Sequence, residues 1–424
     1  MLHRANRSAV LVRFTLGVFV MGLSWVGFAT PARPNDLPIR FDELEAYARA
    51  ESPRARILEQ RLVKLKAERD DALQWTNPAI TYDHEELEPF REWQVTLRKS
   101  FVMPFSHSKS REGWADRVHA AELQLDQDVS DLLADLKTGY VLLQLLDAYL
   151  DELTQLEEIV SKASDVAEAR HGEGELSGVD RHLIQLSVLS LDSNRRNALK
   201  ERKEIAARWQ AEIGIPFGDK AFLVTPIAYK PIELESPEEY VALLERRPGI
   251  QSRVVLQQAL GKQAEAAKPS FVPGFDLYVG YKHIEPVLDG FVAGAELTLP
   301  LFDRKAGAAR RLEADRRIVE NKLELYRTRS ADEIAALVHL IEDAQRVLSS
   351  VAFHLDDNTP VISSLLYSYQ EGRYTLEAFL NAIQIEVTGS RGYYDQLYTY
   401  YENMFRLEAF TGAVIVSFSP EESE

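Results

Sequence analysis

The sequence predicts a mostly α-helical protein that also carries a membrane β-barrel, assembled from a helix–hairpin–long helix–helix unit written twice. Three observations predict it. The N-terminus is an apolar leader, the rest of the chain repeats itself slowly, and its helical stretches are far longer than a globular domain uses.

Arg4, Arg7 and Arg13 form a basic start, Phe14–Phe28 is an apolar run, and Gly27–Ala29 offers small residues where a signal peptidase reads. A run of about 15 residues is short of the roughly 20 that cross a bilayer as a helix. Residues 1–29 are therefore expected to be an export signal rather than a membrane anchor, and no later segment is apolar enough to be a transmembrane helix. The 424-residue chain has no cysteine, which excludes disulfides, thiolate metal sites and a lipid on an N-terminal cysteine. Removing the three arginines of the leader takes the formal charge from −17 to −20. Such acidity argues against nucleic acid and is compatible with handling cations.

Pro53 and Pro78 have counterparts in Pro248 and Pro273, both 195 positions on. Lys109 matches Lys305 at 196; Gly174 and Gly214 match Gly372 and Gly412 at 198. An offset that drifts so slowly reads as a tandem duplication, 41–214 and 236–412. The Pro-containing stretch 215–236 links the copies, and 413–424 is a tail.

Each copy opens with a moderate helix, about Phe41–Gln74 and Pro237–Lys268. A hairpin follows, with strands at about 79–101 and 274–299. In the second, Phe291, Ala293, Ala295, Leu297 and Leu299 alternate with Val292, Gly294, Glu296 and Thr298. In the first, Trp93, Val95 and Leu97 alternate with Gln94, Thr96 and Arg98. A two-residue period puts one set on each face of a sheet. Strands of about 10 residues suit a tilted membrane span, although a half-buried hairpin on a soluble protein has the same period. Pro104 and Pro300 mark the strand-to-helix junctions, since proline cannot donate to a central ladder. Asp303 is expected to cap the helix that follows, and Ser106 or Ser108 its counterpart.

The long stretches run from about Lys109 to Arg170 and from Asp303 to Tyr369, the second interrupted by "DDNTP" at 356–360. A run of about 67 residues spans on the order of 100 Å. Two moderate helices laid end to end reach the same length, so a long helix can lie beside two shorter ones. An isolated coiled coil would need a narrower apolar seam than "YTLEAFLNAIQIEV" carries. Four strands cannot close a barrel, and lipid tolerates no open edge. Three chains supply twelve strands, within the known range, so a trimer is expected.

"LPLFDRKAGAARRLEAD" (Leu299–Asp315), "YSYQEGRYTLEAFLNAIQIEV" (Tyr367–Val387) and "NPAITYDHEELE" (Asn77–Glu88) resemble the TolC-like outer-membrane efflux family over the mature chain. The compact first hairpin resembles the cobalt–zinc–cadmium branch most. The resemblance implies a homotrimer with an outer-membrane barrel and a periplasmic α-helical tunnel. It also implies docking on a periplasmic adaptor, joined to an inner-membrane pump of the RND type. The family's acidic entrance residues correspond here to Ala378 and Asn381. Glu377 and Asp180 lie nearby as candidates for that gate, and Gly174, Gly372, Arg373 and Tyr374 for the docking tip.

His84, His171 and His182 have no metal-ligand spacing, and neither a phosphate loop nor a nucleophile motif is present. No catalysis, metal or cofactor is expected. The favoured reading is an exit duct for heavy-metal cations. A duct for organic compounds or secreted polypeptides, and a non-transporting helical scaffold in the periplasm, remain as alternatives.

Overall fold

Short-range chemistry accounts for where each helix starts. After a 3₁₀ turn (Phe41–Glu43) and α1 (Leu44–Ala50), Ser52 caps α2 (Pro53–Leu73), its hydroxyl accepting from the Ala55 N–H. Pro53 occupies the first helical turn, where its missing N–H costs nothing. The same happens in the second half. Ser236 caps α5 (Pro237–Leu243), a 3₁₀ turn (Leu244–Arg246) follows, and Pro248 opens α6 (Pro248–Ala266). The first moderate helix, expected unbroken from Phe41 to Gln74, is thus interrupted at Glu51–Ser52, because a capping serine before proline starts a new helix.

The computed structural model describes residues 39–87, 90–101, 104–214, 223, 225–268, 274–285, 288–298, 306–355, 358–416 and 418. The leader, Pro300 and Asp303 lie outside the described residues, as does much of the C-terminal tail. The hairpins are β1 (Ala79–Leu87) with β2 (Phe90–Phe101), and β3 (Gly274–Ile284) with β4 (Leu288–Thr298). They join through β2 and β3 into one antiparallel sheet ordered β1-β2-β3-β4. Both strand positions match the alternation read from the sequence.

The first long helix is α3 (Pro104–Gly172), 69 residues without a break. As described it spans Pro104–Gly172, so Ser106 and Ser108 lie inside the helix rather than at its N-cap position. Its counterpart is described as α7 (Ala306–Leu355) and α8 (Asn358–Gln370); the expected interruption at 356–360 falls partly on residues 356–357, which lie outside the described residues. α4 (Gly178–Ile213) and α9 (Leu376–Thr411) return from the far end. α3 packs on α2, α4, α6 and α9, while α7 packs on α6 and α9. The end of α4 meets the start of α2, where the Ser52 hydroxyl donates to the Glu212 carbonyl at 2.7 Å. The end of α9 meets the start of α6, with Arg247 over the Phe410 ring at 4.6 Å. Shorter helices therefore lie in line beside each long one.

Two apolar cores follow. One surrounds these joints and is rich in aromatics: Phe41, Tyr140, Trp209, Tyr400, Tyr401, Phe405 and Phe418. The other runs toward the far turns through Leu153, Ile184, Tyr369 and Phe379. The extended chain of residues 226–236 has no ladder to satisfy its carbonyls. Buried tyrosines do so: Tyr401 donates to Ala228 O at 2.6 Å and Tyr400 to Lys230 O at 2.8 Å.

Candidate functional site: a two-faced sheet and paired helix turns

The register of the sheet sorts its side chains into cross-strand rows. On one face the rows are His84–Trp93–His283–Asp289, then Tyr82–Val95–Tyr281–Phe291, then Ile80–Leu97–Val279–Ala293. Farther along come Lys99–Leu277–Ala295 and Phe101–Phe275–Leu297. Aromatic rings collect at both ends. Trp93 lies 5.7 Å from Tyr281, and Phe101 stacks on Phe275 at 5.2 Å. Between them the face is apolar except for Lys99, and bare: Ile80 is 75% exposed and Phe291 88%. From Trp93 to Phe101 the strand rises about 27 Å, or about 20 Å of height at the usual tilt. An apolar band between aromatic girdles is the outer surface that a bilayer demands.

The other face is polar. Its rows are Glu85–Glu92–Ile284–Leu288, Asp83–Gln94–Lys282–Gly290, Thr81–Thr96–Gly280–Val292, Ala79–Arg98–Tyr278–Gly294 and Ser100–Asp276–Glu296. Lys282 pairs with Glu92 at 2.9 Å and Arg98 with Glu296 at 2.9 Å, while the Thr81 and Thr96 hydroxyls bond each other. The ring of Tyr278 covers Gly294 so closely that an added Cβ would meet its hydroxyl at 2.3 Å. These cross-strand ion pairs were not legible in the sequence, because they depend on how the two hairpins align.

At the opposite end of the long helices the chain turns twice. Gly174 (φ 81°) and Gly372 (φ 71°) hold the left-handed conformation that ends a helix. The hydrogen bonds agree position for position: Glu175 N–H to Arg170 O at 2.9 Å, and Arg373 N–H to Ser368 O at 2.9 Å. Ser177 and Thr375 then cap α4 and α9, accepting from the Asp180 and Ala378 N–H groups. The two turns are neighbours. Arg170 donates to Gln370 O at 2.9 Å and lies over the Tyr369 ring at 5.5 Å, and Tyr369 in turn stacks on Phe379.

Arg170 was missed in the sequence; only its place in the last turn of a helix could have suggested that it meets carbonyls. Arg373 and Tyr374 are exposed at the turn, as are Glu377 and Asn381 on α9. Asp180 accepts from the Ser177 hydroxyl at 2.8 Å. Asp180, Glu377 and Asn381 make no hydrogen bond or ion pair with one another among the described residues. Among the described residues no three His, Asp or Glu side chains gather as metal ligands, and no helix is long and apolar enough to cross a membrane.

No protein-family model and no curated protein matches the sequence. Solved structures do match in fold. CusC, described in terms of folding and transmembrane channel formation, is similar at TM-score 0.72 and 16% identity, over 90% of this chain and 94% of its own. The outer-membrane protein VceC of Vibrio cholerae is similar at TM-score 0.69 and 16% identity, over 89% and 97%. The MtrE outer-membrane channel of Neisseria gonorrhoeae, in its open state, gives 0.68 and 12% over 88% and 89%. The chain has the fold of these outer-membrane channels.

Proposed function

We propose that this chain is a TolC-like outer-membrane channel, the exit duct of a tripartite efflux system. The observation that carries the reading is the two-faced sheet. One face is apolar between aromatic girdles except for Lys99, the other is polar, and β1 and β4 have open edges among the described residues. Such a sheet suits lipid outside and water inside, and only closure with other chains satisfies its edges. Three copies give twelve strands. The fold shared with CusC, VceC and MtrE, whose descriptions name outer-membrane or transmembrane channels, supports the same reading. The leader 1–29 would direct export, and residues 41–214 and 236–412 would be copies of one ancestral unit.

In this reading the helices form the periplasmic tunnel. The turns at Gly174 and Gly372, with Arg373 and Tyr374, meet a periplasmic adaptor joined to an inner-membrane pump of the RND type. Asp180, Glu377 and Asn381 narrow the entrance. Heavy-metal cations are the substrate class favoured by the acidic mature chain and by the compact first hairpin. The pump supplies the energy and the duct performs no chemistry.

Membrane fractionation of the expressed full-length chain tests the reading. A detergent-extracted species of three-chain mass, with heat-sensitive gel mobility, is the expected result. A water-soluble monomer would overturn it and leave a helical scaffold of the periplasm.

A further inference from the structure

A cavity of about 610 Å³ opens on the helices next to the sheet. α2, α3, α6 and α7 stand side by side in that order, each packed on the next, and all four line the cavity. A hollow shared by all four lies on the concave side of the row. Its floor is apolar: Leu62 and Leu65 of α2, Leu125 of α3, Leu256 of α6 and Val319 of α7. The Ser252 hydroxyl, which also lines it, is spent on the Ala120 carbonyl at 2.6 Å.

The charge around that floor reverses the sign of the whole chain, which is formally −17. Five cations line the cavity, Arg61, Lys64, Arg117, Arg253 and Lys322, against two carboxylates, Glu68 and Asp128. Glu68 faces Lys64 at 3.8 Å, and Asp128 accepts from the Gln124 amide at 2.8 Å. Arg61, Arg117, Arg253 and Lys322 form no ion pair among the described residues. Arg117 lies over the Trp114 ring at 5.1 Å and Arg253 over the Tyr326 ring at 4.1 Å. Such contacts fix a guanidinium without cancelling its charge. An apolar floor ringed by surplus cations complements a ligand with an apolar body and an anionic end. The volume falls within the roughly 300–1,000 Å³ of small-molecule sites. We propose that this groove binds amphipathic organic anions, a carboxylate or sulfonate on an apolar skeleton, with Arg61, Arg117 and Lys322 taking the anionic end. The site goes beyond the channel reading, which adds only that in a closed ring the concave side faces the water of the tunnel.

The test is calorimetric titration of the purified full chain with cholate, a rigid carboxylate amphiphile, kept below its micellar range. A membrane-extracted oligomer is titrated in phosphatidylcholine nanodiscs with empty discs as the blank, and a soluble species without discs. Saturable binding of one cholate per chain is expected, while dodecyltrimethylammonium, a cationic amphiphile, shows none. Arg61→Gln/Lys322→Gln should weaken cholate about tenfold or more. Both side chains are exposed, so the variant keeps its fold. Arg56→Gln, on α2 outside the cavity, should leave the affinity unchanged. Absence of saturable binding, equal binding of the cationic amphiphile, or full affinity in the double variant would overturn the inference. A membrane oligomer that fails to bind cholate sinks the inference alone; a soluble monomer that binds it sinks the channel reading alone.

Discussion

The two places where a short helix hands over to the next are built on corresponding positions but sealed by different chemistry. Gly214 and Gly412 both end a helix at positive φ, 77° and 72°, and both donate to a carbonyl four residues back, of Gln210 and Glu408. In the first joint the backbones nearly touch: a Cβ on Gly214 would lie 2.7 Å from the Glu51 carbonyl, and the small Ser52 fits beneath. In the second joint nothing lies within 4 Å of such a Cβ, and the space of Ser52 is taken by Arg247. Its guanidinium is buried, lies over Phe410, and donates to Gln127 Oε1 at 2.6 Å. Burial holds it below the usual arginine range, with Tyr326 and Asp131 opposing. Glu408 adds a tie that Gln210 lacks. It accepts the Ile415 and Val416 N–H groups at 2.8 and 2.9 Å and takes Lys137 Nζ at 2.7 Å. One geometry is thus reached by backbone fit in one half and by buried charge in the other.

Substitutions can break this contrast, read as shifts in the denaturation midpoint of the detergent-solubilised protein. The largest effect is expected at Glu408→Ala, which strands the Lys137 ammonium and two amides and should cost about 3–5 kcal/mol. Gln210→Ala at the matching position should stay within about 0.5 kcal/mol. Gly214→Ala should cost about 2–4 kcal/mol, from the left-handed backbone together with the crowding. Gly412→Ala carries only the backbone part, about 1–2 kcal/mol. Equal costs at the two glycines would show that the close approach at Gly214 is unimportant. Arg247→Met should lose about 2 kcal/mol by leaving Gln127 Oε1 unpaired. Adding Gln127→Leu should recover part of that loss, a coupling that a double-mutant cycle reads directly. Ser52→Ala is expected to be smallest, at about 1 kcal/mol for a lost cap.

The parts legible in the sequence are those set by neighbours along the chain. Alternation located all four strands, and the glycines at 174, 214, 372 and 412 located four helix ends because only glycine takes positive φ cheaply. Thr375 before α9 was equally readable. Ser52–Pro53 carried a readable cap that the broad helical pattern outweighed. What stayed hidden was contact between distant segments. Arg170 reaching the second turn, and Lys282 and Arg98 finding partners 190 and 198 residues away, follow from the packing of one half on the other. No local pattern encodes them.

The open edges of the sheet make its assembly directional. β1 ends in Asp83, His84, Glu85 and Glu86, so two β1 edges brought together would set like charges side by side. β4 offers Gly290, Phe291, Val292, Ala293, Gly294 and Ala295, a run with no charge to repel the acidic strand. In the proposed channel the mating would therefore be head to tail, β1 of each chain against β4 of the next. A heterologous contact of that kind either closes into a ring or grows without end. In the proposed channel, the curvature that closes the ring would also be what stops the polymer.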